Sequence, residues 1–332
     1  MDLFTHVLVA YLLSFGIVGF QPSYLAAGAM AGGLPDGDIL FFPLWKRFPI
    51  LRHHGITHSI FGVTIVAAVG GFLVAPRLAP GDPWIYFAVM EAAGLGHMLM
   101  DGFTHFSVPP LLPFSERRLE IDADRAVNFL TLIVSVASFY LLLGVERNHV
   151  AFWIYLDTVY GLMAFFLAYF GVRLLGRWLI SRPIRDLGPG AIPVPTSDPF
   201  SWIVVREERN PERVTTTYLR YRLGRGVVQG PFRVSAATEA GSGVTGPIAT
   251  AAEALERSYP VARRHSSLLD DTYHFGEAER SGDGWSVVWF SLEFTAFGRA
   301  AATRVTIAPD GAMAARRAWY RPRWAGPPVA PA

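Results

Sequence analysis

The sequence predicts a mainly α-helical membrane protein, in which a helical transmembrane bundle is followed by a small soluble α+β domain. Hydrophobic residues make up 52% of the 332 positions and charged residues 17%, whereas soluble domains carry about a quarter of charged residues. The long apolar runs lie almost entirely within residues 1–180, and residues 201–324 have the composition of an ordinary soluble domain. This uneven distribution predicts one membrane part and one soluble part.

The apolar runs of the first half have the lengths of membrane helices. A helix needs about 20 mainly apolar residues to cross the hydrocarbon core of a bilayer. Two shorter runs, 7–20 and 24–34, are separated by Gln21-Pro22. We expect them to form a helical hairpin, either two short spans or a re-entrant pair sheltered by the other helices. About four full spans are predicted after it, at 56–74, 84–103, 126–143 and 150–170.

The domain boundaries follow from composition. Residues 1–180 form the predicted transmembrane domain, and residues 181–200, which are rich in Pro and Gly, form the predicted linker. The soluble α+β domain is predicted at 201–324, because β-branched and aromatic residues alternate there in several short segments. Residues 325–332 are predicted to be a disordered tail.

Charge and cysteine content exclude two classes of function. The net charge of +2 is too small to indicate nucleic-acid binding, and no basic and aromatic stripe suggests it. The chain contains no cysteine, so neither disulfides nor thiolate metal ligands are available. Any bound metal must be held by His, Asp, Glu or carbonyl oxygen atoms.

Counting helices brings the polar motifs of the first half to one membrane face. If the hairpin returns to its starting side, position 6 and segment 36–38 share that side; the helix that begins near 57 leaves it, and the helix that ends near 103 returns to it. The loops on this side carry most of the Lys and Arg residues. By the positive-inside rule, the motif face and the C-terminal domain are therefore cytoplasmic.

Histidines and aspartates are spaced in these motifs as metal ligands are. His97, Asp101 and His105 follow at i, i+4 and i+8, which puts them on one face of a helix. His54 and His58 repeat the i, i+4 spacing with which two imidazoles can hold one metal ion.

Two further segments complete the candidate metal site. Asp36 and Asp38 flank Gly37 in a turn that can aim both carboxylates at one point, and His6 opens the first helix at the same level. Each motif alone has a simpler explanation, since a lone histidine in an apolar helix is more often a hydrogen-bonded core residue, and LPDGD alone is a good turn. Four segments meeting at one bilayer face instead favour a metal site, because ionisable groups there are costly unless paired or functional.

Other acidic residues have weaker cases. Glu91 lies deeper in its predicted span, either as a carboxylate that orients a ligand histidine or as a structural hydrogen-bonding group. We expect the carboxylates of the predicted loop after residue 105 to be solvated, although two of them, Asp122 and Asp124, are placed to reach the site.

The ordered motifs MDLFTH (1–6), LPDGD (34–38), HHGITHS (53–59) and GHMLMDGFTH (96–105) resemble those of the YdjM-like family of predicted inner-membrane metal-dependent hydrolases. The resemblance covers roughly residues 1–180. Where that family usually has His-Arg-Gly, this chain has His53-His54-Gly55; aligned on the Gly-x-Thr-His-Ser core, His53 matches the family histidine. The family in turn resembles zinc-dependent phospholipase C and P1-type nucleases, which implies hydrolysis of a phosphoester in a lipid or lipid-linked substrate.

We therefore predict a site holding one or two divalent metals, zinc first and manganese as the alternative. The predicted catalytic residues are Asp38, as the general base that takes a proton from water, and Glu91. The alternatives are a non-enzymatic membrane protein with a structural metal and a partner-binding tail domain, and an ion transporter. The oligomeric state stays open. The predicted metal ligands are His6, Asp36, His53, His54, His58, His97, Asp101 and His105.

Overall fold

The chain folds into two compact units, Met1–Leu175 and Gly176–Ala332. The computed structural model describes residues 1–44, 47–51, 53–104, 107–125, 128–147, 152–186, 188, 190–210, 213–237, 248, 250–265, 274–296 and 299–320. The predicted disordered tail at 325–332 lies outside the described residues.

The first unit is helical, as predicted. A π-helical segment, Val69–Val74, joins its third and fourth helices without a break. The helices are α1 (Leu3–Val18), α2 (Pro22–Gly33), α3 (Ile60–Ala68), α4 (Ala75–Leu78), α5 (Pro83–Phe103), α6 (Phe129–Arg147) and α7 (Phe152–Asp186), the last of which runs into the second unit.

Helices α1 and α2 form the predicted hairpin. Helix α1 ends at Gly19, whose φ of 66° is a conformation that favours glycine, and Pro22 begins α2, where its missing N–H removes no hydrogen bond. The two helices approach closely at Gly32, where an added Cβ would lie 2.2 Å from the Cβ of Ala10. Small residues therefore set the spacing of the hairpin.

Among the described residues, two helical segments are long and apolar enough to cross a membrane, Ile60–Leu78 and Phe152–Asp186. The predicted bundle of about four spans is therefore not confirmed. Helix α5 has the length of a span, but it carries Glu91, His97 and Asp101, which lower its hydropathy. Helix α1 and the segment Phe129–Leu142 are apolar but shorter.

The first predicted full span begins later than expected. Residues Ile56–His58 form a short 3₁₀ segment, and Ser59 caps α3 by accepting a hydrogen bond from the N–H of Gly62 at 3.1 Å. A serine at the N-cap satisfies one of the free N–H groups of the first turn. Consequently the helix begins at Ile60 rather than at residue 56.

The second unit contains two four-stranded antiparallel sheets, so the predicted α+β domain is mostly β. The predicted linker at 181–200 contains the last turns of α7 and strand β1. The first sheet has the order β1 (Ala191–Pro195), β2 (Ser201–Asn210), β3 (Arg213–Arg222) and β4 (Gly226–Ala237); the second has the order β5 (His274–Ser281), β6 (Gly284–Ala296), β7 (Arg299–Ile307) and β8 (Met313–Tyr320).

The second unit is built in four layers. Alternate residues of a strand point to opposite faces, so β2 directs Ile203 towards Phe290 of the second sheet and Trp202 towards Ile180 at the end of α7. The other face of the second sheet is covered by α8 (Ala251–His265). The order of layers is thus helix, sheet, sheet, helix.

Candidate metal centre

Four side chains from three separate segments of the first unit meet at one point, and we call them the His/Asp cluster. Asp36 lies in the 3₁₀ segment after α2, His58 lies in the 3₁₀ segment before α3, and His97 and Asp101 are one turn apart near the end of α5. One ligand atom from each lies within 4.8 Å of the others. His58, His97 and Asp101 are fully or almost fully buried.

Five of the six distances between the four ligand atoms are close to those of a tetrahedral metal site. Asp101 Oδ2 lies 3.2 Å from His97 Nε2 and 3.3 Å from His58 Nε2, and the two Nε2 atoms are 3.2 Å apart. Asp36 Oδ1 lies 3.7 Å from His58 Nε2 and 3.6 Å from His97 Nε2. A tetrahedron with metal–ligand distances near 2.0–2.1 Å has edges of about 3.3–3.4 Å.

A buried oxygen atom of Asp101 also points to a metal ion as the partner of the cluster. Its Oδ2 is buried and has no hydrogen-bond partner among the described residues. A buried, unsatisfied carboxylate oxygen is costly, and this oxygen is one of the four ligand atoms. The donor set of two imidazoles and two carboxylates suits a borderline or hard divalent cation.

The tautomer of His97 is fixed by the hairpin. His97 Nδ1 lies 2.7 Å from the carbonyl oxygen of Gly32, and a carbonyl can only accept, so Nδ1 carries the proton. In the neutral ring, Nε2 then presents its lone pair to the centre of the cluster. A histidine that binds a metal commonly donates its other N–H to a carbonyl or a carboxylate in this way.

His58 is oriented by Asp38. Its Nδ1 lies 3.3 Å from Asp38 Oδ2 and 3.1 Å from Thr57 Oγ1. Asp38 Oδ2 also accepts a hydrogen bond from Thr57 Oγ1, and Asp38 Oδ1 accepts one from His53 Nδ1, both at 2.7 Å. Both carboxylate oxygens of Asp38 are therefore engaged, which favours an orienting role; its assignment as the general base stays a prediction.

Packing in the cluster shifts the pKa values of His58, Asp36 and Asp38, which lie outside the candidate spans. Burial opposes the charged form of His58, but its contacts with Asp101, Asp36 and Asp38 raise its pKa to about 10. Burial would raise the pKa of Asp36, but its interactions with His58 and His97 lower it to about 2. The pKa of Asp38 is held below its usual range, against burial, by His53, His58 and Thr57. The carboxylates are therefore held in the ionised form that binds metals, whereas His58 is held as a cation and must release a proton when a metal binds.

His6 contacts the other oxygen of Asp101. His6 Nε2 lies 3.0 Å from Asp101 Oδ1, which the N-terminal ammonium of Met1 also contacts. The His6 ring stacks on His97 at a centroid distance of 3.7 Å. Asp2 caps α1 by accepting from the N–H of Thr5 at 2.9 Å, which fixes the start of the helix. His6 thus borders the cluster and orients Asp101.

His53 and His54 lie in a turn beside the cluster, so the predicted i, i+4 pairing of His54 with His58 is not helical. His54 has a φ of 58°, an uncommon conformation for a non-glycine residue that is found at functional sites. Burial lowers its pKa well below the usual value. His53, His54 and His58 form a second group whose nitrogen atoms lie within 4.8 Å of one another.

Two predicted site residues remain: Glu91 lies apart from the cluster, and His105 is not among the described residues. Glu91 is hydrogen-bonded through Oε1 to Thr64 Oγ1 of α3 at 2.8 Å, at the contact between α3 and α5. Its predicted catalytic role stays a prediction.

Sequence reasoning missed a buried ion pair in the first unit. Asp124, predicted to be solvated, is fully buried; its Oδ1 accepts from Arg173 Nη2 at 2.7 Å and from Asn128 Nδ2 at 2.9 Å, and Tyr169 donates to Oδ2. Asp122 is also buried. The signal was Arg173 itself, since an arginine in an apolar helix needs a partner.

The first unit is therefore a helical domain with candidate membrane spans and a His/Asp cluster near the ends of its helices. Residues 1–180 match the model of the YdjM inner membrane protein family. This match covers more than half of the chain, and the chain belongs to that family, which confirms the resemblance seen in its motifs. Neither a curated protein nor a solved structure matches the chain.

Proposed function

We propose that this protein is a metal-dependent hydrolase of the inner membrane that acts on a phosphoester in a lipid or lipid-linked substrate. The observation that carries the proposal is the His/Asp cluster: four ligand atoms within 4.8 Å of one another, one of them a buried carboxylate oxygen without a hydrogen-bond partner among the described residues. Asp36, His58, His97 and Asp101 would hold the metal. Zinc suits this donor set best, and manganese is the alternative.

A divalent metal bound there would supply Lewis acidity, which polarises a phosphoryl oxygen and makes water a better nucleophile near neutral pH. The chain's own residues hold the ligands in place. Gly32 fixes the tautomer of His97, Asp38 orients His58, and His6 contacts the second oxygen of Asp101. This support keeps the ligand atoms preorganised, as a catalytic metal site requires.

His53 is the side chain best arranged to move a proton. Its Nδ1 is 2.7 Å from Asp38 Oδ1, so Nδ1–H donates a hydrogen bond to the carboxylate and the unprotonated Nε2 is the proton acceptor. The side chain is 37% exposed and can meet a substrate from solution. An imidazole oriented by a carboxylate is a common general base, and this pairing supports His53 in that role with Asp38 behind it.

We further propose that the chain crosses the membrane several times, with the cluster and the C-terminal domain on the cytoplasmic side. The cluster residues lie at one end of α2, α3 and α5, and His6, which contacts Asp101, lies at the start of α1. This arrangement agrees with the predicted alternation of the helices. Loops at that end carry more Lys and Arg than the opposite end. A position at one face argues against an ion in transit, for which polar groups would extend through the bilayer.

A structural metal is the second candidate function. Four protein ligands can saturate a tetrahedral metal, and saturated sites are typically structural. In that case the metal would fasten the hairpin to α5 and the segment before α3, and the C-terminal domain would bind a partner. Turnover distinguishes this function from the enzyme.

The test measures metal content and hydrolysis in the same preparations. Purified wild-type protein is compared with Asp101→Asn and with Asp310→Asn, a matched change in the β7–β8 turn. We expect about one or two zinc or manganese ions per chain by elemental mass spectrometry, lost only in Asp101→Asn. Hydrolysis of bis(p-nitrophenyl) phosphate should follow the metal. Bound metal without turnover on any phosphoester would favour the structural site, and wild-type protein without metal would refute both.

A further inference from the structure

Residues 109–118 form a closed loop at the cluster end of α5, which we call the 109–118 loop. Val108 and Leu119 exchange two backbone hydrogen bonds at its base, of 3.1 and 2.8 Å. Within the loop, the N–H groups of Phe114 and Ser115 both donate to the carbonyl of Leu111. The loop is therefore a locally ordered structure with a defined tip.

The tip of this loop exposes large apolar side chains. Phe114 is 82% exposed and Leu111 is 51% exposed. Neither lies in a helix, so neither belongs to a candidate span. Exposed apolar groups held on an ordered loop indicate contact with a partner protein or a membrane.

The depth of the tip is set by its contacts with α3. The N–H of Ile60 donates to the carbonyl of Pro110 at 3.0 Å, and the rings of Phe61 and Phe114 meet edge to face at 5.9 Å. Ile60 is the first residue of the candidate span Ile60–Leu78. In the membrane topology proposed above, the tip therefore lies where that span enters the bilayer, at the boundary between hydrocarbon and headgroups.

Two exposed cations follow the apolar tip. Arg117 and Arg118 are both exposed, and Arg118 Nη1 donates to the carbonyl of Ser107 at 2.8 Å, which holds it at the base of the loop. Residues 109–118 contain one carboxylate, the neighbouring Glu116, against these two arginines, so the loop has a positive net charge. In a phospholipid, the acyl chains lie deeper in the membrane than the phosphate. The loop offers matching groups in the same order, with apolar side chains at its tip and arginines behind them.

The loop contacts residues that are close in sequence to two of the metal ligands. Ile60 is two residues past His58, and at the base Leu119 and Val108 pack so closely on Gly102, the neighbour of Asp101, that an added Cβ would lie 3.0 and 3.2 Å from their side chains. A lipid on this loop would therefore lie beside the His/Asp cluster.

We propose that the 109–118 loop binds an anionic phospholipid, with its acyl chain against Leu111 and Phe114 and its phosphate on Arg117 and Arg118. That this lipid is also the substrate rests on the proposed hydrolase. The binding itself rests on the proposed membrane topology but not on the hydrolase, and it can be measured without turnover.

The first experiment measures depth. The chain has no cysteine, so a single spin label can be placed by Phe114→Cys, with Asp283→Cys in the β5–β6 turn as the control. In bilayers of phosphatidylcholine and phosphatidylglycerol, the label at position 114 should be more accessible to oxygen than to a water-soluble nickel chelate, and the control should show the reverse. A label at 114 as accessible to the nickel chelate as the control would overturn the proposal.

The second experiment measures lipid preference with intact side chains at the tip. Arg117→Gln with Arg118→Gln is compared with Arg316→Gln with Arg317→Gln, an adjacent exposed pair on β8. Native mass spectrometry of protein released from the mixed bilayers should show a several-fold loss of retained phosphatidylglycerol in the first pair only. Equal loss, or none, would overturn the headgroup assignment. Unchanged metal content in both pairs separates this result from failure of the proposed hydrolase.

Discussion

Replacement of Asp38 by asparagine tests whether the residues around the cluster control metal affinity. Asp38 is buried and contacts His58 through Nδ1, the ring nitrogen that does not face the other ligand atoms of the cluster. Its two oxygens accept from His53, Thr57 and His58. An asparagine keeps the shape but turns one oxygen into a donor, so at least one of these groups faces a donor instead of an acceptor.

The size of the effect follows from this geometry. If the amide nitrogen faces His58 and Thr57, His58 loses the carboxylate that orients its ring; if it faces His53, the carbonyl oxygen that remains towards His58 is uncharged. In either orientation the ring is held less firmly and is a weaker base. Loss of such a carboxylate costs about 10–100-fold in metal affinity, which corresponds to about 1.4–2.8 kcal/mol.

The assay is a zinc titration against a chelator of known affinity, with wild type, Asp38→Asn and Asp36→Asn in the same detergent. We expect Asp36→Asn to weaken binding more than Asp38→Asn, because Asp36 offers one of the four ligand atoms. Asp310→Asn serves as the unchanged control. Wild-type affinity in Asp38→Asn would refute the reasoning, and an equal loss in both variants would indicate that Asp38 itself binds the metal.

Three further changes test the packing around the site. Arg173→Leu leaves the buried carboxylate of Asp124 without its cation and should cost about 3–5 kcal/mol, measured as a lower unfolding midpoint in detergent. Gly32→Ala puts a Cβ within 2.2 Å of Ala10 and should cost about 1–3 kcal/mol by forcing the hairpin apart, with metal lost more readily to a chelator. Phe290→Ala removes a fully buried ring of the second unit and should cost about 3–5 kcal/mol; elemental analysis should find the metal content unchanged.

Helices of the first unit were predictable because their apolar runs have the lengths and breaks of helices. The structure adds the π-helical segment Val69–Val74, where Gly71 approaches the backbone of Phe87 so closely that a Cβ would lie 2.5 Å from its nitrogen. Such a contact depends on a neighbouring helix, and local periodicity does not encode it.

Strands of the second unit were predictable only where side chains alternate strongly. Alternation of β-branched and aromatic residues at 202–207 and 285–294 falls within β2 and β6, and the alternation at 214–223 coincides with β3 except at its last residue. Strand β8 reads MAARRAWY, and alanine and arginine favour helices over strands. Its pairing with β7 overrides this local preference, so the sequence alone gave no sign of it.

Those parts of the metal centre were predictable in which residue spacing alone determines which side chains meet. The i, i+4 pair His97 and Asp101 meets as expected, and the convergence of the four segments follows from counting helices. The roles of His53 and His54 were not predictable, because the φ of 58° at His54 turns the chain in a way that no periodicity anticipates.

The contacts around the cluster tie metal binding to helix packing. His97 depends on a carbonyl at the end of α2, His58 on a carboxylate of the following 3₁₀ segment, and Asp101 on His6 of α1. No single element therefore holds the ligands, and a change that separates any two of these elements should weaken the metal site without touching a ligand. By linkage, a bound metal should stabilise the packing of all of them. Metal content is thus a measure of how well the hairpin docks on α5, as well as of the ligands themselves.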